Sequence, residues 1–181
     1  MSLSTATLIP GLLLFALGTL LLIGGSTTST FLKTVPRSTA AAVVLFGGAT
    51  VWFLYNVEHI AVADLIVFST PTPLVVGFGA VAALSFKFAA EFLAVRGLAA
   101  LILLGGWPLL KAAYMQYDKP QRLLMVTGVY LAVALALWLG AQPWRLRDFL
   151  SWLFTRPSRP TTIGRVLAGY GLLLVAVSFT Y

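Results

Sequence analysis

Long stretches without a single charged residue dominate this chain and limit it to folds whose outer surface faces an apolar medium. No Asp, Glu, Lys or Arg occurs in residues 1–32, 38–57, 65–86, 97–110, 123–144 and 166–181. A helix needs about 20 apolar residues to cross roughly 30 Å of hydrocarbon, and most of these stretches fit that length. Charged residues make up 9% of the chain, against about 25% in soluble domains. A water-exposed globule is therefore excluded.

The apolar runs favour helices over the strands of a transmembrane barrel, which would alternate apolar and polar residues. Residues 12–17 and 131–137, for example, are apolar throughout. We predict an all-α, polytopic transmembrane bundle that forms one integral membrane domain over residues 1–181. Its six predicted spans are residues 7–25, 39–57, 74–95, 98–114, 123–140 and 162–180. No basic residue precedes Lys33, so the first span is interpreted as a retained helix and not as a signal peptide.

The connections are predicted from polar residues, Gly and Pro. The stretch 26–38 is expected to be a Ser/Thr-rich linker, and Arg96-Gly97 a tight turn between the third and fourth spans. The prolines near residue 72 favour a short interfacial or re-entrant element at residues 59–68. Gly105-Gly106-Trp107-Pro108 predicts a kink inside the fourth span.

An amphipathic helix is predicted over about residues 144–156. Its apolar residues recur at helical spacing and form one stripe, while polar residues occupy the other side. This pattern is typical of a helix that lies in the membrane interface. The stripe consists of Leu146, Phe149, Leu150, Leu153 and Phe154.

The loop charges predict the orientation, because Lys and Arg accumulate in cytoplasmic loops. The stretch 143–165 carries five arginines and one aspartate, and the linker 26–38 carries Lys33 and Arg37. Placing both in the cytoplasm puts both termini on the extracytoplasmic side, and the expected location is a bacterial cytoplasmic membrane. The connection 111–122, with a charge of +2, is the one exception.

Lys87 and Glu91 are the sharpest candidates for a functional site. In a helix that starts at Leu74 they share one face, since they are four residues apart, and lie past the middle of the membrane. Intramembrane charges often mark paths for ions or protons. If that helix starts instead near Leu65, the same residues belong to an ordinary wetted helix end.

Two weaker sites follow from the remaining polar residues. Glu58, His59 and Asp64 form an external cluster that could bind a metal ion or sense pH, although their spacing matches no known ligand pattern. Lipid head groups are expected to contact the arginines near the amphipathic helix, namely Arg145, Arg147, Arg156 and Arg159. The chain has no cysteine, and we predict neither a catalytic residue, nor a metal site, nor a cofactor.

The first functional hypothesis is translocation of an ion or small solute by a transporter or channel, with Lys87 and Glu91 as coupling charges. The second is a non-catalytic membrane subunit or assembly factor of a larger complex. A lipid-modifying enzyme that uses Glu58, His59 and Asp64 is a third, weaker possibility. The expected partners are the lipid bilayer and either further copies of the chain or other membrane subunits. Nucleic acid is not expected, because the net charge of +7 is explained by cytoplasmic loops.

Overall fold

The computed structural model describes residues 1–61 and 70–181, and these residues form a helical bundle. Five helices, α1, α3, α5, α6 and α8, are long and apolar enough to cross a membrane, while the apolar α4 has 17 residues. The chain is thus a multi-pass helical membrane protein, as the sequence predicted. The helices are α1 (Leu3–Ile23), α2 (Ser26–Thr34), α3 (Thr39–Glu58), α4 (Thr72–Phe88), α5 (Leu93–Ala113), α6 (Arg122–Ala141), α7 (Trp144–Leu153) and α8 (Ser158–Ser178).

Helices α1 and α8 pack against each other in opposite directions along most of their length. A methyl group built on Gly18 would lie 2.7 Å from the carbonyl oxygen of Gly164, and one built on Gly171 would lie 2.7 Å from that of Gly11. Their backbones therefore touch, because small residues let helices approach closely in lipid. We call this contact the α1–α8 seam.

The other helices alternate in direction beside this seam. Edge-to-face ring pairs join Phe46 to Phe86 and Phe53 to Phe78, so α3 and α4 are antiparallel. Gly97 of α5 lies against the backbone of Phe46, and Ala42 packs beside Leu93, so α3 and α5 are parallel. Helix α6 returns antiparallel to α5.

Two apolar clusters close the two ends of the bundle. Leu3 of α1, Met125 of α6 and Leu174 of α8 belong to one cluster, so both termini lie at the same end. We call this the terminal end. Leu21 of α1 packs with Leu150 and Leu153 of α7 at the other end, which we call the basic end for the charges described below.

The predicted third span, residues 74–95, is wrong at its C-terminal end. Helix α4 stops at Phe88, and α5 begins at Leu93 after a break in which Phe92 adopts a left-handed conformation with φ 56°. That conformation costs about 1–2 kcal/mol for a residue other than glycine. Burial of the Phe92 ring, only 8% exposed, offsets this cost.

The predicted turn at Arg96-Gly97 is also wrong, because α5 runs through both residues and on to Ala113 with Pro108 inside it. Gly97 provides close contact with α3 and does not turn the chain. At 1.5 Å per residue, α4 is about 26 Å long, so the helix in the predicted third span is shorter than the helices in the other five. Most of the element predicted at 59–68 lies outside the described residues.

The linker predicted at 26–38 contains a helix, α2, followed by a 3-10 turn over Val35–Arg37. Hydroxyl groups of Ser29 and Thr30 donate hydrogen bonds to the carbonyl of Ser26, so these polar side chains find partners within the helix itself. The amphipathic helix is present as α7, but much of its apolar stripe packs on protein: Leu150 and Leu153 are buried. Phe149 and Trp152 remain exposed.

Candidate functional site

The charged residues are divided very unequally between the two ends of the bundle. Three basic and two acidic residues of the described chain lie at the terminal end: Lys111, Lys119, Arg122, Glu58 and Asp118. The basic end carries two acidic residues, Glu91 and Asp148, and nine of the twelve basic residues, so its formal charge is +7. These nine are Lys33, Arg37, Lys87, Arg96, Arg145, Arg147, Arg156, Arg159 and Arg165.

Aromatic rings accompany the cations of the basic end. The guanidinium carbon of Arg159 lies 4.4 Å from the ring centre of Trp152, and that of Arg145 lies 5.3 Å from Trp138. Such contacts stabilise a cation by about 0.5–1 kcal/mol at an exposed site. Arg159 also donates to the carbonyl of Trp152, and Arg145 donates to the Gln142 side chain. Two of the predicted lipid-contacting arginines are thus held at defined positions.

Phe92 is the point at which three segments of the basic end meet. The guanidinium carbons of Arg37, from the 3-10 turn, and Arg147, from α7, lie 5.2 Å and 5.8 Å from the centre of its ring. Arg147 also pairs with Asp148 at 2.8 Å, the only ion pair between side chains in the two described ranges. A small cavity of about 50 Å³ adjoins Arg37 and is bounded by Pro36, Phe86 and Leu93.

Lys87 and Glu91 lie at the basic end and are both exposed. Lys87 occupies the last turn of α4, where its ammonium lies 5.6 Å from the ring centre of Phe88, whereas Glu91 follows the end of that helix. The break therefore prevents the shared helix face that the sequence predicted. Their placement agrees with the alternative of a wetted helix end.

Glu58 and His59 lie at the terminal end, where α3 finishes, and both are exposed. The His59 ring is close to Tyr55, with its Nδ1 atom 2.8 Å from the Tyr55 carbonyl oxygen. Asp64, the third member of the predicted cluster, lies outside the described residues. No metal-binding group of three His, Asp or Glu side chains occurs among residues 1–61 and 70–181.

Polar side chains inside the bundle are satisfied by backbone carbonyls. Thr7 is fully buried and donates to the carbonyl of Leu3 at 3.0 Å. Ser178 donates to that of Val175, and the Tyr170 hydroxyl donates to Leu124 on α6 at 2.6 Å. These hydrogen bonds stabilise the fold, because an unpaired polar group is costly in an apolar interior.

Arg37 and Phe92 were not predicted as members of a site. Arg37 was interpreted only as a linker charge, and Phe92 lay within an apolar stretch of a predicted helix. No local pattern indicates that a 3-10 turn, a helix break and α7 meet, since this depends on tertiary packing. No protein-family model matches the chain, and no curated protein or solved structure shows significant similarity to it.

Proposed function

We propose that the chain is a non-catalytic integral membrane subunit whose basic end lies in the cytoplasm and whose termini lie outside. The orientation is supported by the concentration of a formal charge of +7 at one end, with aromatic rings against several of its cations. The subunit role is supported by an apolar outer face on α3 and α4. Basic residues hold a membrane protein in this orientation, and aromatic side chains anchor it at the interface. Such an end is suited to contact with the lipid head groups of the cytoplasmic leaflet.

The arrangement of the predicted chemical groups supports a structural role over a catalytic one. Lys87 and Glu91 lie at one end of the bundle, and Glu58 and His59 at the other, so the two groups do not converge on one site. Between the ends, α1 and α8 are in backbone contact along the seam. A catalytic site needs its groups within hydrogen-bond reach of one substrate.

The outer face of α3 and α4 is available to a partner. Helix α4 has no buried residue, and Val76 and Val81 are exposed. Gly47 and Gly77 meet no described atom within 4 Å of the position a Cβ would take. A further membrane helix can approach such a surface closely, which is the property that an accessory subunit requires.

The deciding measurement is the native mass of the protein extracted in mild detergent from its own membrane. We expect companion proteins at fixed stoichiometry. A homo-oligomer without any companion would contradict the accessory role. The chain has no cysteine, so its orientation can be measured separately with single cysteines and a thiol reagent that does not cross membranes. We expect Ser2→Cys to be labelled in intact cells and Ser151→Cys to be protected.

The second candidate is translocation of an ion or small solute through a homo-oligomer. The connection between α4 and α5 brings Lys87 and Glu91 to the basic end, where the two charges would act at one mouth of a path between protomers. In this case Glu91→Gln should abolish flux into vesicles while the protein still folds. Glu58→Gln, at the opposite end, is the matched control. Unchanged flux in Glu91→Gln would exclude this mechanism.

A further inference from the structure

We propose that Arg37 and Arg147 together bind the phosphate of an anionic phospholipid at the basic end, with Phe92 holding the two side chains in place. This inference deepens the proposed function, because it rests on the placement of the basic end at a membrane surface. It adds a defined site to a general charge attraction, and it includes Arg37, which lies outside the group of arginines around α7.

The position of the two guanidinium groups is the first argument. Both lie within 6 Å of the centre of one ring, so their central carbons are no more than about 12 Å apart. They come from segments more than 100 residues apart in the sequence. Phe92 is buried and lies in a fixed left-handed turn, so it can position both side chains. An anion at the edge of this ring is attracted by both positive charges.

The local charge balance is the second argument. Asp148 accepts hydrogen bonds from Nε and Nη2 of Arg147, so a phosphate must bind Arg147 through the edge that carries Nη1. Arg37 forms no ion pair with a carboxylate of the described residues. With nine basic and two acidic residues at this end, the carboxylates cannot neutralise the cations. Guanidinium groups bind phosphate through paired hydrogen bonds, which an ammonium group cannot reproduce.

The surroundings indicate a lipid in preference to a soluble phosphate compound. Phe88 is 76% exposed beside the helix break, and Phe149 and Trp152 are exposed on α7. These apolar rings lie at the same end of the bundle as the two arginines and can contact acyl chains, whereas a free anion would gain nothing from them. Trp side chains prefer the depth of the lipid head groups. The charged groups and the rings therefore match the two parts of a phospholipid.

The test is a lipid-binding measurement by native mass spectrometry on the full chain in detergent. Phosphatidylglycerol and phosphatidylcholine are added in equal amounts, and the lipid that stays bound is counted. We expect the wild type to retain phosphatidylglycerol preferentially. The double variant Arg37→Gln/Arg147→Gln should bind it roughly 30-fold more weakly, from the usual effect of two basic residues near a membrane surface. Lys111→Gln/Lys119→Gln removes the same charge from the terminal end and should bind as the wild type does.

A charge-conserving variant separates a defined site from diffuse attraction. Arg37→Lys/Arg147→Lys keeps the charge and should still lose most of the preference for phosphatidylglycerol; it also tests the site if the glutamine variant does not fold. Full binding by the lysine variant would overturn the proposal. Equal losses in the Lys111/Lys119 control, or displacement of the lipid by millimolar inorganic phosphate, would do so as well.

The result does not depend on the search for companion proteins. If no companion is found and the lysine variant still loses lipid, only the accessory role is wrong. If companions are found and the arginine variants bind lipid normally, only the lipid site is wrong.

Discussion

The α1–α8 seam and the α3–α4 pair use the same residue, glycine, in opposite ways. In the seam, Gly11, Gly18, Gly164 and Gly171 all lie against the backbone of the facing helix. In the α3–α4 pair, a Cβ added to Gly47, Gly48 or Gly77 would meet no described atom within 4 Å, and two pairs of aromatic rings join α4 to α3. Glycine content therefore does not reveal which helix faces are occupied. The seam is an occupied interface, whereas the α3–α4 pair presents a face that no residue of 1–61 and 70–181 covers; we call it the open face.

The largest expected effect comes from one methyl group added to the seam. Gly18→Ala places a Cβ 2.8 Å from the Cα atom of Ala168, so the two helices must separate. We expect a loss of about 3 kcal/mol in the free energy of unfolding, the upper part of the usual range for overpacking. Thermal or denaturant unfolding in detergent micelles measures this.

The matched control is the same substitution in the open face. Gly47→Ala meets no described atom and replaces a flexible residue in a helix, so it should stabilise the protein by about 0.5–1 kcal/mol. A destabilised Gly47→Ala protein would show that this face is covered, and would remove the contrast between the two regions.

A smaller effect is expected from the hydrogen bond that joins the seam to α6. Tyr170→Phe removes the donor to the Leu124 carbonyl and should cost about 1 kcal/mol, close to the values measured for hydrogen bonds in membranes. Tyr130 is 60% exposed, and Tyr130→Phe is the control. Equal unfolding curves for the two variants would mean that α8 is held by packing alone.

The smallest expected effect concerns the contact between two aromatic rings in the α3–α4 pair. Phe53 and Phe78 meet edge to face with ring centres 5.2 Å apart, and both are partly exposed. A double-mutant cycle with Phe53→Leu and Phe78→Leu should give a coupling free energy of about 0.5 kcal/mol. A coupling near zero would indicate that contacts other than this ring pair hold α4 beside α3.

Charge-free stretches predicted the long helices well, because hydrophobic length is a property of the sequence alone. The predicted span 39–57 ends one residue before α3 does, and the predicted span 123–140 is one residue shorter than α6 at each end. The break before Phe92 could not be predicted in this way. Ala89, Ala90 and Glu91 are ordinary helix residues, and only the burial of the Phe92 ring against distant segments favours the break.

The site shows the same limit. The sequence predicted that Arg145, Arg147 and Arg159 lie near a membrane surface, because these arginines follow directly after an apolar span. It gave no sign that Arg37 joins Arg147 at Phe92. Gly97 was interpreted as part of a turn and instead allows α5 to approach α3. A glycine has the same one-letter code in both roles, and only the neighbouring helix distinguishes them.

The seam has a consequence for the order of assembly. About 135 residues separate the end of α1 from the start of α8. At a synthesis rate of about 5–20 residues per second, α1 waits roughly 7–27 s in the membrane before its partner emerges from the ribosome. During that time its glycine face is open to other helices of the membrane. The yield of folded protein therefore depends on whether α1 pairs with a wrong helix during synthesis or is protected by an insertion chaperone. This dependence is separate from the stability of the folded protein.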